Sequence, residues 1–276
     1  MHRFLIGTLT IFLLLPASVL ALTLEGNLTQ GGMAIGRVDP AATVRFQGNA
    51  VRVSPEGLFV IGFSRDAKTK LEIEVRQPSG RIEKHPVTIQ ARTYKIQRID
   101  GLPKNKVSPS SEDLERIYKD IARVKKVRKT DAPRTDFTQP FIWPVTGRLS
   151  GVYGSQRILN GKPKRPHFGV DIAAPTGTPV QAPADGIVTM VHNDMFYSGG
   201  TLIVDHGHGI STVYMHLHKI LVKEGQSVNQ GQVIAQVGAT GRVTGPHLHW
   251  GMNWFETRLD PSLLVPPMPK PAAVKK

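Results

Sequence analysis

Through most of this chain apolar residues recur at every second position, in short bursts broken by Gly, Pro and Asn. That period builds strands and excludes helices over the same residues. "ATVRFQGNAVRV", "GLFVIGF" and "LEIEVRQPSGRIEKHPVTIQ" carry it between Leu22 and about Ile99. "GTPVQAPADGIVTMV", "GGTLIVDHG", "STVYMHLHKI" and "GQVIAQVG" carry it between about Phe141 and Val265. The first run predicts a small β-sandwich-like domain over residues 22–99. The second predicts an antiparallel β domain with one large groove over 141–265. Only one stretch changes period. In "SPSSEDLERIYKDIARVKKVRK", Leu114, Ile117, Tyr118, Ile121 and Val124 fall at helical spacing, with Ser110 or Ser111 as cap, acids in the first turn and bases in the last. This predicts one amphipathic helix in the connecting region 100–140, ahead of the linker "TDAPRTDFTQP". The expected fold is therefore mostly β.

The ends read differently. Residues 1–21, MHRFLIGTLTIFLLLPASVLA, have a basic head, an apolar run from Phe4 to Leu15 and small residues before Ala21. They read as a secretory signal peptide, which places the protein outside the cytoplasm, in the periplasm or associated with the cell envelope. The apolar run is too short for a comfortable transmembrane helix, and no stable membrane span is expected after cleavage. "PPMPKPAAVKK", residues 266–276, is expected to be a disordered tail. The chain has no cysteine. An exported chain of this kind has no disulfides, and any metal site must come from His, Asp or Glu. The formal charge of +14 falls on both halves. It favours a polyanionic partner such as anionic lipid or an acidic wall polymer, and export argues against nucleic acid. Oligomeric state leaves no mark in the sequence.

Eight of the ten histidines lie between His167 and His249. Histidine is both a common metal ligand and a physiological acid/base, so the cluster marks a candidate site. In "TGPHLHWGM", His247 and His249 face one side of a strand, ~6.6 Å apart along it. Both can bind one metal, or one can bind while the other acts on a substrate; spacing leaves the two open. In "RPHFGVDIAAPTGTPV", His167 and Asp171 would stand ~13 Å apart on a straight strand, too far for one ion. A bend is required, and Gly169 is the place for it.

The ordered set "HFGVDIAAPTGTPVQAPADGIV", "GGTLIVDHGHGISTVYMHLHK" and "EGQSVNQGQVIAQVGATGRVTGPHLHW" resembles the lysostaphin-type, or LytM-like, zinc endopeptidases that cut peptidoglycan. The resemblance covers about Phe141 to Val265. It implies that His167, Asp171 and His249 hold zinc, and that His216 and His247 are non-ligand catalytic groups. Peptidoglycan stem peptides would be the substrate, and the N-terminal domain and helix would position or occlude the groove. The basic loop "RILNGKPKRP" would offer Arg157, Lys162, Lys164 or Arg165 to a substrate carboxylate. Some relatives carry a tyrosine in the loop just before the first ligand; here the nearest upstream is Tyr153. His206 and His208 are expected to be structural, His192 to sit on the groove rim, and His218 to be a reserve candidate sharing the face of His216. Two rivals have to be weighed. A non-enzymatic LytM-type regulator that activates another wall hydrolase is the first, although degenerate members of that kind lose ligands and this chain keeps them. A biotinyl/lipoyl-type carrier is the second, because "APADGIV" resembles its strands. A carrier needs a lysine at its hairpin tip, and the turn at Ser198 to Gly200 has none.

Overall fold

A computed structural model describes residues 22–269. The expected signal peptide over 1–21 and residues 270–276 of the expected tail lie outside the described residues. The chain is mostly β, as its alternation predicts. At the N-terminal end Thr23–Gly26, Met33–Arg37 and Leu58–Gly62 form a three-stranded antiparallel sheet. A four-stranded sheet, in the order Asn49–Val51, Thr43–Phe46, Lys70–Arg76 and Ile82–Thr88, faces it. Every second residue of Lys70–Arg76 points inward, so Ile73 and Val75 join Phe46, Phe59, Ile61 and Phe63 in a closed core. Each such side chain contributes about 1.5–3 kcal/mol on burial.

The C-terminal half is built on one long antiparallel sheet, in the order Ser227–Val228, Gly186–Met195, Gly199–Gly207, Ile210–Leu217, His247–Trp254, Val170–Ala173 and Arg148–Gly151. A short strand, Thr257–Leu259, pairs with His247–Trp254 as well. The two halves share a core. Met33 and Val60 of the sandwich pack in one cluster with Trp250, Met252 and Leu259, and the Phe46 ring meets Trp254 at 6.1 Å. Residues 266–269 stay against this core too: Trp143 Nε1 donates to Pro266 O at 2.7 Å, and Met268 packs on the cluster.

The predicted helix runs over Ser111–Val127. Ser110 is its cap, in a reciprocal capping box with Asp113. Val124 and Val127 seat it on Met190, Met195, Ile203 and Val213 of the sheet. Arg116 pairs with Asp194 and Arg123 with Glu224, while Asp120 accepts from the backbone N–H of Phe196. Part of its apolar face stays open, with Tyr118 65% and Ile121 43% exposed. Ahead of this helix, Ile96–Ile99 pairs in parallel with Gln156–Leu159, a contact between residues about 60 apart in sequence.

His206 belongs to the framework. Its Nδ1–H donates to Asp185 O at 2.6 Å, its Nε2 accepts from Thr212 Oγ1 at 2.8 Å, and Tyr214 Oη stands 2.8 Å from Thr212 Oγ1. Burial pushes His206 down to about 4. Since the unfolded imidazole titrates near 6.5, the unfolded chain binds the extra proton between those values. Stability is therefore whole above about pH 6.5 and is lost as pH falls toward 4, by up to about 1.4 kcal/mol per pH unit from this group. Urea melts of wild type and His206→Gln at pH 7 and pH 5 should show the variant weaker at pH 7 but with a flatter pH dependence. An unchanged slope would assign the acid sensitivity elsewhere.

Candidate metal centre and catalytic cleft

The site follows from strand register. His247–Trp254 pairs with Val170–Ala173 so that Asp171 stands directly opposite His249, and with Ile210–Leu217 so that Met215 stands on its other side. Directly paired residues share a face of the sheet, and alternation puts His247 there too. His167 lies just before its strand, where the chain bends to bring it back: its Nε2 is 3.0 Å from Asp171 Oδ1 and 2.9 Å from His249 Nδ1. His249 Nδ1 is 2.8 Å from the same carboxylate oxygen. Two glycines make this closeness feasible. A Cβ at Gly169 would fall 2.5 Å from Trp250 O and 2.7 Å from His249 Nε2, and one at Gly151 would fall 2.4 Å from Asp171 Oδ2.

Protons in the site are assigned by backbone carbonyls. His167 Nδ1–H donates to Val152 O at 3.1 Å, which leaves its Nε2 lone pair aimed at the cluster. His216 Nδ1–H donates to Thr240 O at 2.8 Å and His247 Nδ1–H to Gly245 O at 2.9 Å. In each case Nε2 is the free nitrogen. The rings of His216 and His247 lie 4.8 Å apart, and His247 Nε2 is 3.9 Å from Asp171 Oδ1. Burial pushes His249 down to about 4, against the opposing pull of the Asp171 hydrogen bond and charge. His216 is pushed to about 3 by burial and by the charges of His247 and His249. Burial alone would raise Asp171, but the two imidazoles against its Oδ1, first His167 and then His249, outweigh it and hold the carboxyl well below its usual range. At neutral pH Asp171 is therefore a carboxylate, and His216 and His249 are neutral imidazoles.

His167, Asp171 and His249 are buried, and their inward donor atoms all lie within 4.8 Å of one another. Two imidazole nitrogens and one carboxylate oxygen meet with at most one proton among them, so a cation is what completes the set. Two nitrogens and an oxygen suit zinc with a position left open for water or substrate. Asp171 Oδ2 is held from behind by Arg157 Nη2.

His216 owes its place to backbone strain. Its neighbour Met215 already faces the cleft opposite His249, so alternation would turn His216 away. A φ of +65° at His216 breaks the alternation and swings the ring beside His247. For a residue other than glycine that costs ~1–3 kcal/mol. The strand ends there, so His218, the reserve candidate by alternation, is exposed and lines a separate surface pocket. His208 is buried against Phe137 at 5.0 Å, and His192 accepts from the backbone N–H of Asp194, away from the cleft. Tyr153 donates to Arg258 O and is thereby occupied.

Of the four basic loop residues, Arg157, Lys164 and Arg165 line the cleft, and Arg157 also pairs with Asp171. Lys162 instead donates to Ser108 Oγ on the outer side. Two wall residues went unread in the sequence: Tyr197, and Arg242, whose guanidinium stacks 4.4 Å above the Tyr197 ring. Residues 96–108 bridge the two walls. Leu102 exchanges hydrogen bonds with Asn160, and Lys164 Nζ donates to Val107 O on one side. On the other, Lys106 Nζ donates to Phe196 O, and Arg242 Nη1 to Lys106 O. Gln97, Ile99 and Leu102 of this strap share a cavity with Asp171, His216 and His247.

Residues 165–261 match the model of peptidase family M23. A crystal structure from Pseudomonas aeruginosa of a protein assigned to peptidase M23 superposes with a TM-score of 0.68 at 32% identity, over 86% of this chain and 95% of that one. The chain belongs to peptidase family M23. It is also 53% identical over 105 residues to the peptidoglycan DD-endopeptidase ShyA of Vibrio cholerae, covering 37% of this chain and 24% of that protein. It is 42% identical over 126 residues to the DD-carboxypeptidase/endopeptidase Mpg of Neisseria meningitidis, covering 46% of this chain and 29% of that protein. The match thus spans less than a third of the length of either curated relative.

The glycine at the bend gives a direct test. Gly169→Ala should leave the sheet folded but displace His249 or the carbonyl of Trp250, weakening metal affinity by about 10–100-fold, the scale found when a group that orients a ligand is disturbed. Competition with a chromophoric chelator measures this; unchanged affinity would mean that His249 does not hold the metal.

Proposed function

We propose that this chain is an exported zinc metalloendopeptidase that hydrolyses peptide cross-links of peptidoglycan in the periplasm or cell envelope. One observation carries the reading: His167, Asp171 and His249 converge at the floor of a cleft, beside two histidines whose free Nε2 atoms face the same space. Zinc, when bound, would polarise the scissile carbonyl and acidify water toward neutrality. His216 and His247, tied at Nδ1, can only accept a proton at Nε2, and from there pass it to the departing amine. Their fixed tautomers mean that no rearrangement is needed before the transfer. Arg157 holds the rear oxygen of Asp171 and so keeps the front oxygen in place. Lys164, Arg165, Arg242 and Arg258 line the cleft, and among the described residues Asp171 of the metal centre is the one carboxylate at its floor, which supports a substrate bearing carboxylates. A regulator that only activates another hydrolase has no need of two tautomer-fixed histidines beside an intact ligand set.

Zinc-loaded protein incubated with cross-linked muropeptides should release the separated peptides, identified by mass, and lose this activity on chelation. Intact dimers after prolonged incubation would remove the peptidase reading. His216→Ala and His247→Ala should keep zinc at wild-type level while turnover falls by about 10²–10⁴, the usual worth of a positioned acid/base. Wild-type rates in both would exclude them from the chemistry.

The strap over residues 96–108 favours a restrained enzyme. Lys106→Ala combined with Val107→Ser removes contacts to both walls without touching the cluster. It should raise muropeptide turnover several-fold at unchanged zinc affinity. Equal or slower cleavage by the folded variant would make the strap a fixed wall of the groove.

A further inference from the structure

Beside the metal cleft lies a second cavity of about 300 Å³. The two are continuous, sharing Ile121, Arg165, Tyr197, Ser198, Met215 and Arg258. One wall is the apolar face of the long helix, through Ile117, Ile121 and Val124; the opposite end is cationic. Arg128, the residue after the last turn of that helix, is 5% exposed, and its Nε is enclosed without a partner. Its guanidinium makes no ion pair or side-chain hydrogen bond among the described residues. Arg258 donates one hydrogen bond, to Asn253 Oδ1 at 3.0 Å, and pairs with no carboxylate. Arg165 stands exposed at the rim.

The acids nearby do not resolve this. Asp120 is engaged by the backbone N–H of Phe196, and Glu256, though its charge favours both arginines, is exposed and forms no ion pair with either. Burial pushes Arg128 down to about 9, with the Arg258 charge adding to it, and burial pushes Arg258 to about 10. A cation at a helix C-terminus is favourable through the helix dipole, but that effect needs no burial of the side chain. An enclosed guanidinium with free donors calls for an anion.

We infer that Arg128 and Arg258, with Arg165 at the rim, form a subsite for a carboxylate carried by the peptide bound in the cleft. A planar fork of N–H donors matches a carboxylate. The Ile117, Ile121, Val124 and Met215 wall accommodates the alkyl stem that bears it. This assignment rests on the peptidase reading and adds a recognition element contributed by the region before the metal-binding half.

The test uses two synthetic cross-linked muropeptide dimers, one with free carboxylates and one with those carboxylates amidated, and the zinc-loaded full chain. Wild type should prefer the free form by about 10–100-fold in kcat/KM, the worth of a hydrogen bond to a charged group, and mostly through KM. Arg128→Gln and Arg258→Gln should each bring the preference toward unity by lowering kcat/KM on the free-carboxylate dimer, and Arg128→Lys should restore part of it. Arg128→Gln should also keep the melting temperature of wild type, since an unpaired buried charge is being removed. If Arg128→Gln does not fold, the wild-type preference and Arg258→Gln decide alone. Equal kcat/KM for the two dimers in wild type, or a preference surviving in both glutamine variants, overturns the subsite. If neither dimer is cleaved, the peptidase reading fails by itself, and calorimetric binding of the two dimers still decides: about tenfold tighter binding of the free form supports the subsite, and equal binding rejects it.

Discussion

The register between His247–Trp254 and Val170–Ala173 is the constraint on which the site depends. Asp171 faces His249 across one antiparallel pair, and a slip of one residue would turn either side chain to the opposite face. That register is held by burial. Val170, Ile172, Leu248 and Trp250 alternate with the site residues and fill the core on the other side of the same strands. Turning Asp171 and His249 out of the cluster would expose those four, so the packing energy of the core fixes the geometry of the polar face. Polar residues that would destabilise a core strand are thereby tolerated in a dry position, where they satisfy one another and leave a cavity for a cation.

The region ahead of the M23 match is part of the same architecture. Its sandwich shares a core with the long sheet through Met33, Val60 and Phe46, so the two halves are not independent beads. Its helix is seated by Val124 and Val127 but leaves Ile117 and Ile121 lining cavities beside the cleft. Between these, the strap gathers a parallel strand pair, four side-chain hydrogen bonds to backbone carbonyls and a small cluster of Leu102, Val107 and Leu159. None of its contacts is strong singly. A buried cluster of only three side chains, held otherwise by part-buried hydrogen bonds, is a small unit next to the cores that flank it.

How much of this could be read in the sequence depended on whether a residue's role is written locally. Strand alternation, the Ser110 cap and the periodicity of Leu114 to Val124 are local, and the β architecture and helix followed from them. The need for a bend between His167 and Asp171 was legible from their spacing and Gly169 alone. His218 shows the opposite case: alternation put it with His216, but a left-handed residue at position 216 reverses the faces, and nothing in "YMHLHK" announces that φ. The parallel pairing of Ile96–Ile99 with Gln156–Leu159 is silent for another reason, since a contact across about 60 residues leaves no periodicity in either partner. Lys162, grouped by sequence with three neighbours, points outward because the Asn160–Gly161 turn reverses the chain between Leu159 and Lys162. Tyr197 reaches the cleft from a loop outside any motif, and Arg242 from a segment whose resemblance assigns it no role.

The charge of +14 resolves into two populations once the structure is known. Arg52, Arg116 and Arg123 on the outside are paired with Asp131, Asp194 and Glu224. Such exposed pairs contribute only about 0–1 kcal/mol each and are screened by salt. Within the cleft and the adjoining cavity, by contrast, Arg128, Arg165 and Arg258 have no carboxylate partner among the described residues, while Arg157 is paired with Asp171. The unpaired cations of the cleft and cavity sit where low-dielectric walls strengthen their field, whereas many others, Lys68, Lys119 and Lys223 among them, are exposed to solvent. An acidic polymer is drawn to the whole surface weakly and over a Debye length, but a chain entering the cleft meets cations that water and salt screen poorly. On the proposed subsite, attraction and alignment are separated in space: the exposed cations would gather the substrate, and Arg128 and Arg258 would fix which way it lies.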